Sequence, residues 1–189
     1  MADDEPREQD HETEENGGGP LADDVAAAIV EKFPGSVGCD SHGQAVVYVD
    51  RSVFADVAKF LRDEQQFTMC VDVTAADHLL TGARLRCPEG VVMERFEVIA
   101  NYLSHARNRR VRVICEVPAA DPKVPSLTGV YMGTNFPERE TFDLFGIVFD
   151  GHPDLTRILM PDDWKGYPLR KDDPSGRVPV TFKGDPAPR

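Results

Sequence analysis

This chain lacks any pair of cysteines at the short spacing of a metal-binding motif. Cys39, Cys70, Cys87 and Cys115 lie far apart and form no C-x-x-C pair. A zinc ribbon and a ferredoxin-type cluster are thereby excluded. Cys70 and Cys115 stand inside apolar runs, where a buried free thiol is the ordinary state, and a reducing cytosol disfavours disulfides. No apolar run approaches the roughly 18–20 residues that span a bilayer. The start of the chain is acidic where a secretory signal is basic and then apolar. The expectation is a cytosolic protein that meets a membrane only through something else. Basic stripes are missing as well, so phosphate neutralisation and nucleic-acid binding are excluded. "GTNFPERE" lacks the Lys-Ser/Thr of a phosphate-cradling loop, and "GGGP" at 17–20 reads as linker.

What is present suits one domain with appendages. The 189 residues are 41% apolar, enough for a real core. The net charge of -12 is unevenly spread. Residues 1–20 hold eight acids against the single Arg7, so the rest of the chain is close to electrically mixed. That acidic head ends in Gly-Pro and reads as a disordered tail.

Leu21, Val25 and Ile29 follow at helical spacing, and Pro34-Gly35 closes that helix. "QAVVYVD" reads as a strand. "RSVFADVAKFLRDEQ" sets Val53, Phe54, Val57, Phe60 and Leu61 on one helical face. "FTMCVDVTAAD" (67–77) alternates as a strand. Phe96–Leu103 and Val111–Val117 flank the polar turn "SHARNRR", a hairpin pattern. A last helix starts near Pro137, with Asn135 or Thr134 as its cap, and stops at Gly146. Glu138, Phe142 and Phe145 share one face of it; Arg139 and Asp143 lie four apart on another.

These elements define an α+β class: a small mixed or antiparallel sheet with helices packed on one face. The α+β domain is expected over 21–146, followed by an extended irregular segment over 147–189. That segment carries Ile147, Val148, Phe149, Leu155, Ile158, Leu159, Met160 and Trp164 among recurring prolines. Burying each such side chain is worth about 1.5–3 kcal/mol, so something must cover them.

Three kinds of chemistry compete for residues 138–173. Glu138, Glu140 and Asp143 with His152 are the parts of an acid–base site, as in a free-standing hydrolase. The same acids also suit a helix N-terminus. His152 in "DGHPDL" reads as a structural turn, since no second His or Cys is near for a metal. Asp162 and Asp163 beside Trp164 lack the spacing of a calcium loop. Arg139, Arg157 and Arg170 interleaved with aromatics and acids are the composition of a protein interface.

The string "ERETFDLFGIVFDGHPDLTRILMPDDWKGYPLRKD" (138–172) resembles the signature of the C (30-kDa) subunit family of proton-translocating NADH:quinone oxidoreductase, respiratory complex I. E-R-E-x-x-D, F-G-I, G-H-P-D-L, R-I-L-M-P-D-D-W and P-L-R-K-D stand in order. Weaker likeness extends upstream through "CVDVTAAD", "RFEVIANYLS" and "VPSLTGVYMGTNFPERE". Thr156, Lys165, Tyr167 and Asp173 depart from the residues frequent in the family.

The resemblance implies a subunit of the peripheral arm with no cofactor of its own, while FMN and iron–sulfur clusters sit in partner subunits. It implies subunits D and B as chief partners and an indirect membrane contact at the cytoplasmic face. It implies electron flow from NADH to quinone, menaquinone here, coupled to proton translocation. A related membrane-bound hydrogenase or dehydrogenase complex shares the same core. On this reading 147–173 is a clamp on neighbouring chains. Glu138, Arg139, Glu140, Asp143, His152, Arg157, Arg170, Lys171 and Asp172 pair with partner groups or fix the clamp's root. Phe142, Phe145, Leu155, Ile158 and Trp164 supply apolar anchors.

Overall fold

The computed structural model describes residues 23–79 and 88–173. The acidic head, Leu21, Cys87 and the tail at 174–189 lie outside the described residues. Helix α1 (Asp24–Lys32) begins where the Asp23 carboxylate accepts the N–H groups of Val25 and Ala26, at 2.9 and 3.0 Å. Those donors would otherwise have no partner, which is why an aspartate suits this position. Helix α2 (Phe54–Asp63) buries Phe54, Val57, Ala58, Phe60 and Leu61, the face expected from their spacing.

Five strands form the main sheet: β1 (Val37–Ser41), β2 (Gln44–Val49), β3 (Met69–Asp77), β4 (Phe96–Ser104) and β5 (Arg109–Val117). Their order is β1-β2-β5-β4-β3, antiparallel throughout except for the parallel pair β2–β5. The sheet is therefore mixed, as expected, and β4–β5 is the hairpin. Strand β1 goes beyond what the sequence pattern predicts. It folds back on β2 through His42 and Gly43, both with positive φ (54° and 77°), while the Asp40 carboxylate accepts the Gly43 N–H at 2.9 Å. Two left-handed residues in succession make the turn whose twist matches a hairpin. One face of the sheet carries Val47, Val98, Ala100, Tyr102, Val113 and Cys115 into the core, against Ile29, Phe54, Val57 and Leu61 of the helices. Cys115 is buried as expected, but Cys70 is only half-buried, beside a β-bulge between Cys70 and Asp72. Burial pushes both thiols up to about 12, which keeps them protonated and unreactive.

A second, two-stranded sheet pairs β6 (Lys123–Pro125) with β7 (Val148–Asp150) in parallel, and helix α3 (Asn135–Phe145) forms part of the crossover between them. Here the expectation fails. The sequence pattern makes the residues just past Gly146 irregular and in need of outside cover, yet Ile147 and Phe149 are fully buried in the chain's own core. Irregular chain begins only after Asp150. The cap of α3 also differs. Thr134 occupies the cap position, but its hydroxyl donates to the Tyr131 carbonyl at 2.9 Å and caps nothing. Gly146 ends α3 in the left-handed conformation, at φ +71°. Among the described residues no helix is long and apolar enough to cross a membrane.

Candidate functional site: helix α3 and its strap

Three carboxylates hold the C-terminal part of the chain together, and each grips a different segment. Glu138, the one acid on the apolar face of α3, is fully buried. Its carboxylate accepts the Leu127 N–H at 2.7 Å and the Ser126 hydroxyl at 2.6 Å, which fixes the loop leading into α3. Burial raises its pKa, an effect these hydrogen bonds partly oppose.

Asp143 has no exposed side-chain surface. One carboxylate oxygen accepts three successive backbone N–H groups, of Ile158, Leu159 and Met160, at 3.0, 2.8 and 2.8 Å. The other accepts Nη1 of Arg157 at 2.6 Å. Asp77, at the end of β3, accepts Nε and Nη2 of Arg95 and the Lys171 N–H, at 3.0, 2.8 and 2.9 Å. Burial opposes ionisation of both aspartates, but the donors outweigh it and hold both below the usual carboxylate range, Asp77 at about 2.

Between these anchors residues 151–173 form a strap over α3. Arg139 reaches it, donating to the carbonyls of Thr156 and Arg157 at 3.1 and 3.2 Å. Arg139 and Asp143, four apart along one face, take different partners. Arg170 lies at the C-terminal end of α3, donating to the carbonyls of Phe145 at 2.5 Å and Gly146 at 3.3 Å. A cation on those unpaired carbonyls complements the helix dipole. Arg157 and Arg170 both stack on Tyr167, at 5.4 and 4.5 Å. Asp172 pairs with Arg95 at 2.6 Å.

Most of the charged residues singled out in the sequence thus lie at the strap's root. Glu140 and Lys171 stand exposed. Of the apolar anchors, Phe145 is buried in the chain's own core and is therefore not free for a partner; Phe142 and Leu155 are half-buried. Ile158 and Trp164 remain exposed, joined by Leu159 and Leu169, which the sequence pattern does not single out as anchors. Nor does it single out Asp77, Arg95 and Tyr167 as root residues.

An acid–base site does not assemble. Glu138 and Asp143 are sealed on separate partners. His152 uses both ring nitrogens: Nε2–H donates to the Asn135 carbonyl at 3.1 Å, and Nδ1 accepts the Asp154 N–H at 3.0 Å. Among the described residues no group of three His, Cys, Asp or Glu side chains could hold a metal ion. What the arrangement can do is present a surface. The strap's backbone is tied inward while part of its apolar side-chain set faces out.

The root makes two expectations measurable. At Gly146 an added Cβ would lie 2.5 Å from the Tyr167 ring and 2.7 Å from Nη2 of Arg170, at a positive φ. Gly146→Ala is expected to destabilise by about 2 kcal/mol, measured as a lowered denaturant midpoint with an unchanged m value. The second concerns acid. Asp77 and Asp143 are depressed in the folded state, so their stabilisation is fully present above the ordinary carboxylate value of about 4 and is lost as pH falls from there through the folded value, about 2 for Asp77. Glu138 is raised, so its protonation on acidification favours the fold and offsets part of that loss. Trp164 is the only tryptophan and sits in the strap. Its emission is expected to shift to the red between about pH 4 and 2, ahead of any far-UV dichroism change. Emission that stays fixed down to pH 2 would contradict the assignment.

Comparison with known proteins places these features in a family. The family model described as "Respiratory-chain NADH dehydrogenase, 30 Kd subunit" matches residues 47–178. The C subunit of NADH-quinone oxidoreductase from Salinispora arenicola is 41% identical over 179 residues, covering 88% of this chain and 66% of that protein. The Roseiflexus protein of the same name is 43% identical over 160 residues, covering 84% of each. The chain spans about half to two thirds of the length of most of the curated relatives it matches. Among solved structures, the trypsin-resistant fragment (1-134) of Nqo5 is 30% identical, with a TM-score of 0.59 over 69% of this chain and 99% of the fragment. An archaeal membrane-bound sulfane sulfur reductase contains a chain of the same fold, with a TM-score of 0.63 at 22% identity, covering 85% of this chain and 94% of that one.

Proposed function

The chain belongs to the family of the 30 Kd subunit of respiratory-chain NADH dehydrogenase, and from that premise we propose that it is a structural and assembly subunit of NADH:quinone oxidoreductase. It holds no flavin or iron–sulfur cluster of its own. Electrons pass from NADH through FMN and clusters in partner subunits to menaquinone, coupled to proton translocation. The chain docks chiefly on subunits D and B and meets the cytoplasmic face of the membrane through them.

The observation that carries this reading is the division of labour in the strap. Its backbone is fixed by Asp143, Asp77 and Arg170, while Ile158, Leu159, Trp164 and Leu169 are left exposed. A chain gains nothing by ordering an exposed apolar segment for itself, because ordering costs about 1–2 kcal/mol per residue. The gain comes when a partner covers it, since a preformed segment binds with less entropy to lose.

A second reading assigns the chain to a related membrane-bound complex, and the shared fold with the sulfane sulfur reductase favours keeping it. Affinity purification of the tagged full chain from gently solubilised membranes separates the two. A co-purifying flavin-bearing, NADH-oxidising module is expected. A nickel–iron large subunit in its place supports the second reading, and recovery of the chain alone contradicts both.

A further inference from the structure

A second apolar surface lies beside the strap, on the segment that leads into α3. Met132 is 88% exposed and Phe136 62%. Glu140 follows four residues on, also exposed, so the three side chains form one line along the helix entry. The 3-10 turn Met132–Thr134 that carries Met132 packs against β3. In β3 the bulge between Cys70 and Asp72 breaks the alternation of the strand, and both Met69 and Val71 stand exposed. Bulges commonly re-aim a side chain in this way on an edge strand.

The base under this surface is rigid. Tyr131 is buried and its hydroxyl donates to the carbonyls of Phe67 at 2.7 Å and Ala58 at 3.3 Å. Thr134 is buried on the Tyr131 carbonyl, and Glu138 ties the preceding loop. Four large apolar side chains thus project from a frame that cannot fold them away. Apolar side chains grouped on two segments that pack together on a fixed frame mark a binding site more than single scattered ones do.

Arg139 links the surface to the strap. The Arg139 guanidinium lies over the Phe136 ring, 5.8 Å from its centre, and the same side chain holds Thr156 and Arg157 of the strap. From the other side of the strap, His152 bonds the Asn135 carbonyl next to Phe136. Beside the second surface itself the exposed ionic residues Asp72 and Glu140 are acidic, whereas the strap carries exposed Asp154, Asp162 and Asp163 together with exposed Lys165 and Lys171. From this geometry we infer that Met69, Val71, Met132 and Phe136 form a second docking surface, occupied by the same partner chain that covers the strap. That chain presents an apolar patch with Lys or Arg opposite Asp72 and Glu140. The inference rests on the clamp reading above and extends the clamp to two faces of α3.

Photo-crosslinking in the assembled, purified complex tests it. p-Benzoylphenylalanine is placed at Met132 and, in a separate chain, at Ile158, and the captured subunit is identified by mass spectrometry. Capture of one and the same subunit from both positions is expected. Capture at Ile158 with none, or a different subunit, at Met132 overturns this inference and leaves the clamp reading standing. Capture at Met132 alone, or at neither position, removes the clamp reading and this inference with it. Capture of a second copy of this chain at Met132 also overturns the inference. As a parallel measurement, M132S/F136S is expected to lower retention of the chain in the complex about tenfold, a typical effect of losing an apolar anchor. Dichroism and melting of the free chain should not change, since both side chains are exposed. Unchanged retention overturns the inference.

Discussion

Asp143→Ala is expected to leave the sheet intact and release the strap. The substitution removes the acceptor of three backbone N–H groups and the counter-charge of Arg157 together. Leaving one member of a buried ion pair uncompensated costs about 3–5 kcal/mol. The chain can avoid part of that cost by swinging residues 157–160 into water, which restores their hydrogen bonds to solvent. Local opening is therefore cheaper than global unfolding. Amide exchange should accelerate strongly at 158–160, while β4 and β5, in the middle of the sheet, stay protected. Asp143→Asn should behave almost as badly, because its NH2 would face donors where the carboxylate offered oxygen on both sides. Unchanged exchange at 158–160 in either variant would show that the strap is held by something else.

Trp164→Ala should show the opposite pattern, mild alone and severe in company. In the free chain Trp164 is 37% exposed and its backbone N–H donates to the Pro161 carbonyl at 3.0 Å, a bond that the substitution spares. The melting temperature of the isolated chain should move little. In the assembled complex a buried tryptophan is the residue type most often found to dominate binding, and its truncation costs about 2 kcal/mol or more. That is roughly a thirtyfold loss of affinity, read as chain lost from the complex under a salt wash that the unaltered chain survives. Equal loss in both settings would make Trp164 a folding residue rather than an anchor.

The local code of this fold is largely readable and its long-range ties are not. Helices α1 and α2, the β4–β5 hairpin and the Gly146 stop follow from spacing and turn chemistry within a dozen residues. Strand β1 escapes because its turn is His-Gly rather than Asn-Gly and its five residues, "VGCDS", do not alternate. Strands β6 and β7 are three residues each, one containing a proline and the other hidden in an apolar run, and only their mutual pairing makes them strands. The root of the strap escapes for a related reason. Asp77 binds Arg95 18 residues away and Lys171 94 residues away, distances over which one sequence carries no spacing signal. Glu138 does leave a trace: a glutamate aligned with Phe142 and Phe145 on an apolar face is already a candidate for burial. Asp143 is singled out as a root residue only through the family resemblance; its grip on residues 158–160 leaves no spacing signal, because backbone donors look alike in every sequence.

That 94-residue link between Asp77 and Lys171 sets an order of events during synthesis. A ribosome releases the β3 end of the link long before the strap end, so a nascent chain must wait with Asp143 unpartnered and Asp77 held by Arg95 alone on that side. Any product that terminates before residue 157 leaves Asp143 without Arg157 and residues 158–160, and leaves Asp77 with Arg95 but without the Lys171 N–H, together with the open carbonyl end of α3. Only a chain read through to about residue 171 can close every tie of the strap.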